Sequence, residues 1–439
     1  MNNPTLRSHT HWQVAQIHRY IQNLPKSMPA PTHSGQKNGQ HTTSCIVHLA
    51  DSANLKDITF NKLYSGLTDW CFESPNDTIH LTVVSHSRKT DNRHMELISI
   101  DLFSGVGGLT EGLHKAGFKT ELAFEIDELA SKAYKMNHKK TKVITDDIRN
   151  VSTEKVKNEL GNKTIHLLAG CPPCQGFSSI RRLNKPEPVK DDRNELIKEF
   201  VRFVKELMPY TFMMENVPGL ALDKSFKSAL KELEIAGYYK PDWKIVNVKD
   251  YGVPQSRKRL VLVGSRLAPI TIAEPIKKKK TVRQVIGKLP KPENSKDPLH
   301  QIFPSHSEKI LNLIKDIPKN GGSRKDLGKD RQLKCHQKEN VGFNDVYGRL
   351  RWDDFSTTIT GGCLNPSKGR FLHPEQDRCI SAREASMLQS FPKTYKFPIE
   401  APRTKLALMI GNALPPEFSK IQAENIKSHI LTHLQLKNV

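Results

Sequence analysis

The stretch that decides the fold is residues 97–109, which read LISIDLFSGVGGL. Its first six residues are mostly apolar and predict a buried β-strand. The glycines that follow let the backbone turn tightly and approach a ligand closely before a helix begins. The stretch therefore predicts a strand, a glycine-rich turn and a helix at the start of an α/β domain.

Strand-like apolar runs alternate with helical segments after this turn. Strands are predicted at residues 97–102, 121–124, 165–168, 211–214, 243–248 and 260–264. Residues 194–207 have the period of a helix that covers a sheet, with an apolar face formed by Leu196, Ile197, Phe200, Val201, Val204 and Leu207. This alternation predicts a doubly wound, mostly parallel sheet, in which ligands bind at the carboxyl ends of the strands.

The segments on either side of this alternation have a different composition. In residues 1–94 a short helix is predicted at 12–21, a linker rich in Pro, Ser, Gly, His and Thr at 25–43, and strands at 45–49 and 79–84. From about residue 270 to 374 the chain is irregular and basic, and it includes the lysine run 277–280. Such a run is often only a solvated surface, but within a basic region it also suits phosphate contact. We predict an N-terminal extension and a second domain at 270–374.

The overall charge limits the kinds of partner. Among 439 residues, 68 Lys and Arg stand against 46 Asp and Glu, which gives a net charge of +22 and a pI near 9.6. A surface of this kind attracts polyanions, and nucleic acid is the first candidate, although charge alone also fits a protein whose basic residues only aid solubility.

Cysteine usage and hydropathy indicate an intracellular protein. The seven cysteines are odd in number and scattered, unlike the disulfide frameworks of small secreted domains, so we expect reduced thiols in the cytoplasm. We find no apolar run long enough to cross a bilayer, and the first ten residues lack the apolar core of a signal peptide. We therefore expect no membrane partner.

An acidic residue accompanies the glycine-rich turn. Glu125 lies twenty positions after Gly105, at the end of the next predicted strand, where a carboxylate can accept hydrogen bonds from ribose hydroxyls. A glycine-rich turn alone could serve packing, but together with the strands and Glu125 it indicates a nucleoside cofactor. The pattern G-x-G-G differs from G-x-G-x-x-G, which argues against a dinucleotide and suits a cofactor without pyrophosphate.

A second loop, residues 170–178 (GCPPCQGFS), follows the strand at 165–168. Its two prolines stiffen the loop and would fix the direction of the Cys174 side chain. Cys171 and Cys174 also form C-x-x-C, so a redox dithiol or half of a zinc site must be considered. A zinc site needs a second pair of ligands, for which only Cys335 and His336 offer themselves, and a redox dithiol usually opens a helix, which prolines and glycine break here.

Two further motifs bring charged groups to the same edge of the sheet. The strand at 211–214 leads to Glu215, and a sheltered carboxyl group can donate a proton or a hydrogen bond, although a Glu at a strand end is more often a turn or cap residue. Residues 255–259 (QSRKR) lead into the strand at 260–264, and strand alternation predicts that Arg257 and Arg259 point to the same side. Two guanidinium groups could hold a base oxygen, a phosphate and a thiolate.

Taken in order, these motifs resemble the DNA (cytosine-5)-methyltransferase family in its bacterial form, from residue 97 to about 434. The segments that carry the resemblance are the turn after Asp101, the PPCQ loop at 172–175, ENV at 215–217, Q-x-R-x-R at 255–259, YGRLRW through GRF at 347–371, SAREA at 381–385 and GNALP at 411–415.

The resemblance implies a domain plan and an α/β, Rossmann-like fold that binds S-adenosylmethionine. Residues 95–269 would form the catalytic and cofactor-binding domain, 270–374 a smaller irregular target-recognition domain, and 375–439 a segment that returns to the catalytic domain. Residues 1–94 lie outside the resemblance, so their role is open.

The resemblance also implies the roles of individual residues. S-adenosylmethionine would contact Phe103, Gly105, Gly107, Gly108, Glu125, Ile126, Asp147, Ile148, Pro173, Asn412 and Ala413. Catalysis would use Cys174 as the nucleophile at carbon 6 of a flipped-out cytosine, together with Glu215, Arg257 and Arg259. The DNA contacts would come from Gln175, Ser178, Arg193 and Gln255, and no metal is implied.

The implied partner is double-stranded DNA, bound by a monomer in the bacterial cytoplasm and nucleoid. A restriction endonuclease with the same target sequence would complete a restriction–modification system. Two alternatives stay open: a nucleic-acid-binding regulator that keeps the fold without activity, and an enzyme acting on RNA, because some relatives of this family methylate tRNA. The intact chemical motifs argue against the regulator, and the long region between Arg259 and Ser381 favours the reading of a DNA sequence.

The cofactor motifs all lie after residue 95, so the first segment should be dispensable for cofactor binding. We predict that a fragment beginning at Met95 binds S-adenosylmethionine nearly as well as the whole chain. Isothermal titration calorimetry on both proteins measures this, and a loss of affinity in the fragment would show that residues 1–94 contribute to the site.

Overall fold

The computed structural model describes residues 95–173, 196–277, 279–333, 337 and 345–435, together with the backbone of two short strands further upstream. Those two strands, β1 (Thr42–Ile46) and β2 (Thr78–Thr82), pair in parallel. They overlap the predicted strands at 45–49 and 79–84, and β1 already begins within the predicted linker. The predicted helix at 12–21 lies outside the described residues. Glu96–Val439 forms a separate compact unit.

A seven-stranded sheet forms the centre of this unit. Its strands are β3 (Leu97–Leu102), β4 (Phe118–Phe124), β5 (Lys142–Ile144), β6 (Leu167–Gly170), β7 (Thr211–Asn216), β8 (Asp242–Asn247) and β9 (Lys258–Ser265). Their order is β5-β4-β3-β6-β7-β9-β8, and β9 is antiparallel to both of its neighbours while the other pairs are parallel. The predicted doubly wound, mostly parallel sheet is confirmed. Strands β4 and β5 lie on one side of β3 and β6 lies on the other, so the strand order switches between β3 and β6. Such a switch point is where sheets of this kind bind ligands.

Ten α-helices are described in this unit. They are α1 (Gly108–Ala116), α2 (Glu128–Asn137), α3 (Thr153–Leu160), α4 (Leu196–Leu207), α5 (Lys224–Ile235), α6 (Val282–Ile286), α7 (Glu308–Asp316), α8 (Ala382–Leu388), α9 (Arg403–Asn412) and α10 (Pro416–Gln435). None of the helices in the described part of the chain is both long and apolar enough to span a membrane.

Strand alternation separates two apolar cores, one on each face of the sheet. On β6 and β7, Leu168 and Phe212 face the core shared with α3, α4 and α5, whereas Leu167 and Met213 face the core shared with α1 and α10. Because both faces are covered, the central strands are apolar on both sides, as buried parallel strands are.

The region predicted as a second domain has a small core of its own and also shares a larger one. Leu313, Ile314 and Leu372 pack together in the small core. Val282 and Leu299 instead belong to a core that includes residues of α2, α8 and α9. The boundaries at 269/270 and 374/375 therefore stay predictions, because this region packs continuously with its neighbours.

A buried arginine organises the small core. Arg349 is fully buried, and its guanidinium donates to the carbonyl oxygens of Ile314 (2.7 Å) and His373 (3.0 Å) and to the carboxylate of Asp377 (2.5 Å). Burial lowers its pKa from the ordinary value. One side chain thus joins the end of α7 to the segment that precedes α8.

We predict that Arg349→Met strongly destabilises this unit, by about 3 kcal/mol, because it leaves several buried carbonyl oxygens without a donor. Urea denaturation followed by circular dichroism measures the free energy of unfolding. Arg331→Met is the matched control, because Arg331 pairs with Asp316 on the surface, where an ion pair contributes little. Equal effects of the two substitutions would contradict the assigned role of Arg349.

Candidate active site

The glycine-rich turn after β3 is held in an unusual backbone conformation. Phe103, Gly105 and Gly107 all have positive φ angles, of 57°, 55° and 89°. For Phe103, which carries a side chain, this conformation is costly and needs support from its surroundings. The backbone N–H of Ser104 donates to the carbonyl oxygen of Phe124 on β4, and that of Gly107 donates to Ser104, both at 2.9 Å.

The carboxylate of Glu125 fixes the middle of the turn. Its Oε2 accepts the backbone N–H of Gly105 at 2.7 Å, and its Oε1 accepts that of Asp127 at 2.8 Å. Burial raises the pKa of Glu125, although these backbone donors oppose the shift. The neighbouring Ile126 is 63% exposed. A pinned carboxylate beside an exposed apolar side chain suits a nucleoside, whose ribose is polar and whose base is flat and apolar.

The next strand end brings a second carboxylate to the same edge. Asp147 follows β5 and accepts hydrogen bonds from the backbone and the guanidinium of Arg149, which lowers its pKa. Ile148 is buried. Strand β5 is not among the predicted strands, because it has only three residues and its only apolar ones are Val143 and Ile144.

The loop after β6 is fixed to β7 by an amide side chain. Asn216 donates from Nδ2 to the carbonyl oxygen of Pro172 at 3.0 Å, and its Oδ1 accepts the backbone N–H of Val217 at 2.8 Å. Asn216 belongs to the ENV motif at 215–217, but the sequence alone indicates no role for it. Pro173 is half-buried and ends the described part of this loop. The predicted residues Cys174, Gln175, Ser178 and Arg193 lie outside the described residues.

An ion pair joins β7 to β9 beside this loop. Oε1 of Glu215 lies 2.6 Å from Nε of Arg259, and both side chains are largely buried. The thiol of Cys171 is hydrogen-bonded to Glu215, and burial together with this carboxylate raises the pKa of Cys171 well above its ordinary value. Cys171 is therefore a neutral thiol at physiological pH, which does not suit a nucleophile.

Arg257 and Gln255 occupy a buried junction next to this ion pair. Arg257 precedes β9, so strand alternation does not set its direction, and its Nη1 donates to the carbonyl oxygens of Ile359 and Gly411, both at 2.9 Å. Gln255 is fully buried, with its amide donating to Gln389 at 2.7 Å and accepting from the backbone N–H of Ile359 at 2.8 Å. In this arrangement the Gln255 side chain faces protein groups and is not available to DNA.

The C-terminal segment brings Asn412 and Ala413 to this junction. Asn412 is the last residue of α9 and is exposed, whereas Ala413 is buried. Gln389 donates to the carbonyl oxygen of Ile410 at 2.6 Å. Because Gln389 also accepts the amide of Gln255, its side chain connects Gln255 to the segment that leads to Asn412 and Ala413.

Buried Asp101 lies beneath the turn. Its Oδ2 accepts the hydroxyl of Thr110 at 2.6 Å, and its Oδ1 is buried with no hydrogen-bond donor among the described residues. Burial raises the pKa of Asp101 from 3.8 to about 7. Among the described residues, no group of three or more His, Cys, Asp or Glu side chains could hold a metal ion.

The raised pKa of Asp101 makes stability depend on pH in a defined direction. Between about pH 4 and pH 7 the carboxyl group keeps its proton in the native protein but loses it in the unfolded chain. The free energy of unfolding therefore falls by about 1.4 kcal/mol for each unit by which the pH rises. Asp101→Asn, which cannot ionise, should remove this slope and be relatively more stable at pH 8. Urea titrations of both proteins from pH 5 to pH 8 measure the difference, and a difference independent of pH would refute the assignment.

Comparison with known proteins agrees with this geometry. Residues 97–428 match the family described as C-5 cytosine-specific DNA methylase. The Type II methylase M.HgiDII of Herpetosiphon aurantiacus is 35% identical over 344 residues, which cover 75% of this chain and 94% of the relative. The Type II methyltransferase M1.HphI of Haemophilus parahaemolyticus is 33% identical over 340 residues, which cover 76% of this chain and 87% of the relative.

A solved structure of a DNA modification methyltransferase encoded within a prophage of E. coli superposes with a TM-score of 0.55 and 26% identity, covering 77% of this chain and all of that one. DNMT2 of Spodoptera frugiperda, with a TM-score of 0.50 and 16% identity over 76% of this chain and all of that one, shares the fold. The chain therefore belongs to the C-5 cytosine-specific DNA methylases.

Proposed function

We propose that this methyltransferase moves the methyl group of S-adenosylmethionine to carbon 5 of cytosine within a specific sequence of double-stranded DNA, through a covalent adduct with Cys174. The observation that carries the proposal is the convergence of three strand ends. The turn after β3, the Pro172 loop held by Asn216, and the Glu215–Arg259 pair all lie at the carboxyl edge of the sheet or beside it.

The turn fits a nucleoside cofactor in shape and charge. Apart from Gly105 and its two chain neighbours, no described residue has an atom within 4 Å of the position that a Cβ on Gly105 would occupy, so the described part of the chain leaves open space there. Phe103 and Ile126 would contact the adenine, the Glu125 carboxylate would accept from the ribose hydroxyls, and Asp147 and Ile148 would border the base. Pro173, Asn412 and Ala413 would border the methionine part. The cofactor supplies an electrophilic methyl group on a sulfonium.

The active-site groups would make carbon 5 of cytosine a nucleophile. The Cys174 thiolate adds to carbon 6, and Glu215 binds or protonates ring nitrogen 3, so that negative charge does not build up on the ring. Arg259, paired with Glu215 at 2.6 Å, would bind the ring oxygen. Carbon 5 then takes the methyl group, and loss of the carbon 5 proton expels Cys174 and restores the aromatic ring.

Arg257 would act on the active site indirectly, through its charge. Its Nη1 is occupied by two carbonyl oxygens, while its Nε is buried with no partner among the described residues. Burial and the neighbouring Arg259 lower its pKa to about 9, so it still carries its charge near neutral pH. We propose that this charge favours the thiolate form of Cys174, while the side chain keeps the junction in place.

The target cytosine is stacked inside a duplex, so it would have to swing out into the pocket. Gln175, Ser178 and Arg193 are the proposed DNA contacts near the pocket, and the basic region at 270–374 is proposed to read the target sequence. Gln255 is left out of this set because it is fully buried. The Type II names of the relatives support a restriction–modification role. In that role the chain would act as a monomer and would share its target sequence with an endonuclease.

The two cysteines of the loop separate this mechanism from a redox or zinc site. We predict that Cys174→Ser abolishes methyl transfer, because a Ser hydroxyl is far less ionised and a harder nucleophile, while cofactor and DNA binding persist. Cys171→Ala is the matched control and should stay active, because the Cys171 thiol is held neutral beside Glu215.

A duplex with 5-fluorocytosine at the target position gives the direct readout. Fluorine cannot leave as a cation, so the methylated adduct should accumulate on Cys174 in the wild type and in Cys171→Ala. Mass spectrometry of the digested complex locates it. An adduct on Cys171, or equal loss of activity in both variants, would overturn the mechanism.

A further inference from the structure

Three residues of the glycine-rich turn have positive φ angles, so the turn needs contacts that keep it in this conformation when no ligand is bound. Two contacts come from the adjacent strand and its end: the carbonyl oxygen of Phe124 and the carboxylate of Glu125. A third comes from a remote part of the chain. The hydroxyl of Tyr395 donates to the carbonyl oxygen of Val106 at 2.5 Å, and both residues are buried.

Tyr395 is itself fixed by the end of helix α2. Because its proton goes to the Val106 carbonyl, its oxygen accepts from Nε2 of His138, 2.9 Å away. Burial and the nearby His114 lower the pKa of His138 to about 3, so this ring is neutral and keeps one N–H to donate near neutral pH. Asn137 and Lys396 reinforce the contact by exchanging two hydrogen bonds of 2.8 Å.

The same two rings fill the space beneath Gly107. A Cβ at that position would lie 2.6 Å from Nε2 of His138 and 2.8 Å from the Tyr395 hydroxyl oxygen. Gly107 therefore has two reasons to be glycine: its φ of 89° and the rings directly below it. His138 and Tyr395 thus support the turn at two neighbouring residues. The Tyr395 hydroxyl binds the carbonyl oxygen of Val106, and both side chains lie against Gly107.

We propose that Tyr395, supported by His138, is a positioning residue for the cofactor turn: it holds Val106 and Gly107 in the conformation that binds the nucleoside. This inference rests on the proposed function, because it takes the turn as the S-adenosylmethionine site. Tyr395 touches the turn from the side of the protein interior and acts on the cofactor only through it. Without this hydroxyl, the buried carbonyl oxygen of Val106 would have no hydrogen-bond donor. The turn could then leave its binding conformation when no ligand is present, and part of the binding free energy would be spent on restoring it.

The variant Tyr395→Phe tests this while keeping the aromatic packing of the ring against Phe391 and Phe397. Calorimetry with sinefungin, an unreactive analogue of S-adenosylmethionine, should show about tenfold weaker binding, the expected effect of one buried hydrogen bond. In kinetics, KM for S-adenosylmethionine should rise by about the same factor while kcat changes by less than about twofold. Affinity for DNA without cofactor should be unchanged.

Tyr238→Phe is the matched control. The Tyr238 hydroxyl is also buried and donates to a backbone carbonyl, that of Pro209 at 2.8 Å, and not to the turn. Tyr238→Phe should lower thermal stability about as much as Tyr395→Phe does, but it should leave sinefungin binding and the KM for S-adenosylmethionine at wild-type values. His138→Leu is the second variant, and it should weaken sinefungin binding in the same direction as Tyr395→Phe even if the latter folds poorly.

The outcomes separate this inference from the proposed function. Wild-type protein that fails to bind sinefungin would refute the cofactor assignment itself. Wild-type protein that binds, with Tyr395→Phe and His138→Leu binding equally well, would overturn only the positioning role. Equal weakening by Tyr238→Phe would overturn it too, because the effect would then report general destabilisation.

Discussion

Helix α10 and the residues just before it lie so close to helix α1 that two positions of α1 have no room for a side chain. A Cβ on Gly112 would lie 2.6 Å from the carbonyl oxygen of Pro416, and one on Gly108 would overlap the carbonyl oxygen of Leu414. The last helix of the chain is therefore packed directly on the helix that follows the first strand of the sheet. Asn412 and Ala413 lie only a few residues before α10. This contact therefore also fixes the distance between the two ends of the proposed cofactor site, which are the glycine-rich turn and the segment of Asn412 and Ala413.

The region at 270–374, proposed to read the target sequence, is joined to this assembly through buried polar side chains. Gln255 and Arg257 both bind the backbone of Ile359, and Arg257 and Gln389 bind backbone carbonyls of the segment 410–411. Such groups are costly to bury unless they are paired, so they specify one arrangement of the three segments. A rigid junction of this kind would let DNA held by one region be presented to a cofactor held by another. The Glu215–Arg259 pair, proposed above to act in catalysis, joins β7 to β9 beside this junction.

Much of this arrangement could be predicted from the sequence, because its signals are local. The strand β3, the turn and Glu125 follow from residue types at short spacing, and the parallel sheet then places Glu215 at the same edge. Contacts between distant segments could not be predicted in this way. Arg257 and Gln255 belong to a motif that indicates chemistry, yet their side chains bind backbone groups and the Gln389 side chain, all more than a hundred residues away. Tyr395 carries no motif signal for its contact with Val106, 289 positions earlier. Strand β5 has only three residues, which is too few for the pattern of apolar residues that predicts a strand.

The central claim is that the chain methylates carbon 5 of cytosine in DNA. Bisulfite sequencing of DNA from cells that express the full chain, compared with cells carrying the empty vector, tests it most directly, and the RNA of the same cells is sequenced in parallel. The account predicts 5-methylcytosine at one recurring sequence, found only in DNA from the expressing cells. Unmodified DNA together with newly methylated cytosines in tRNA would contradict it.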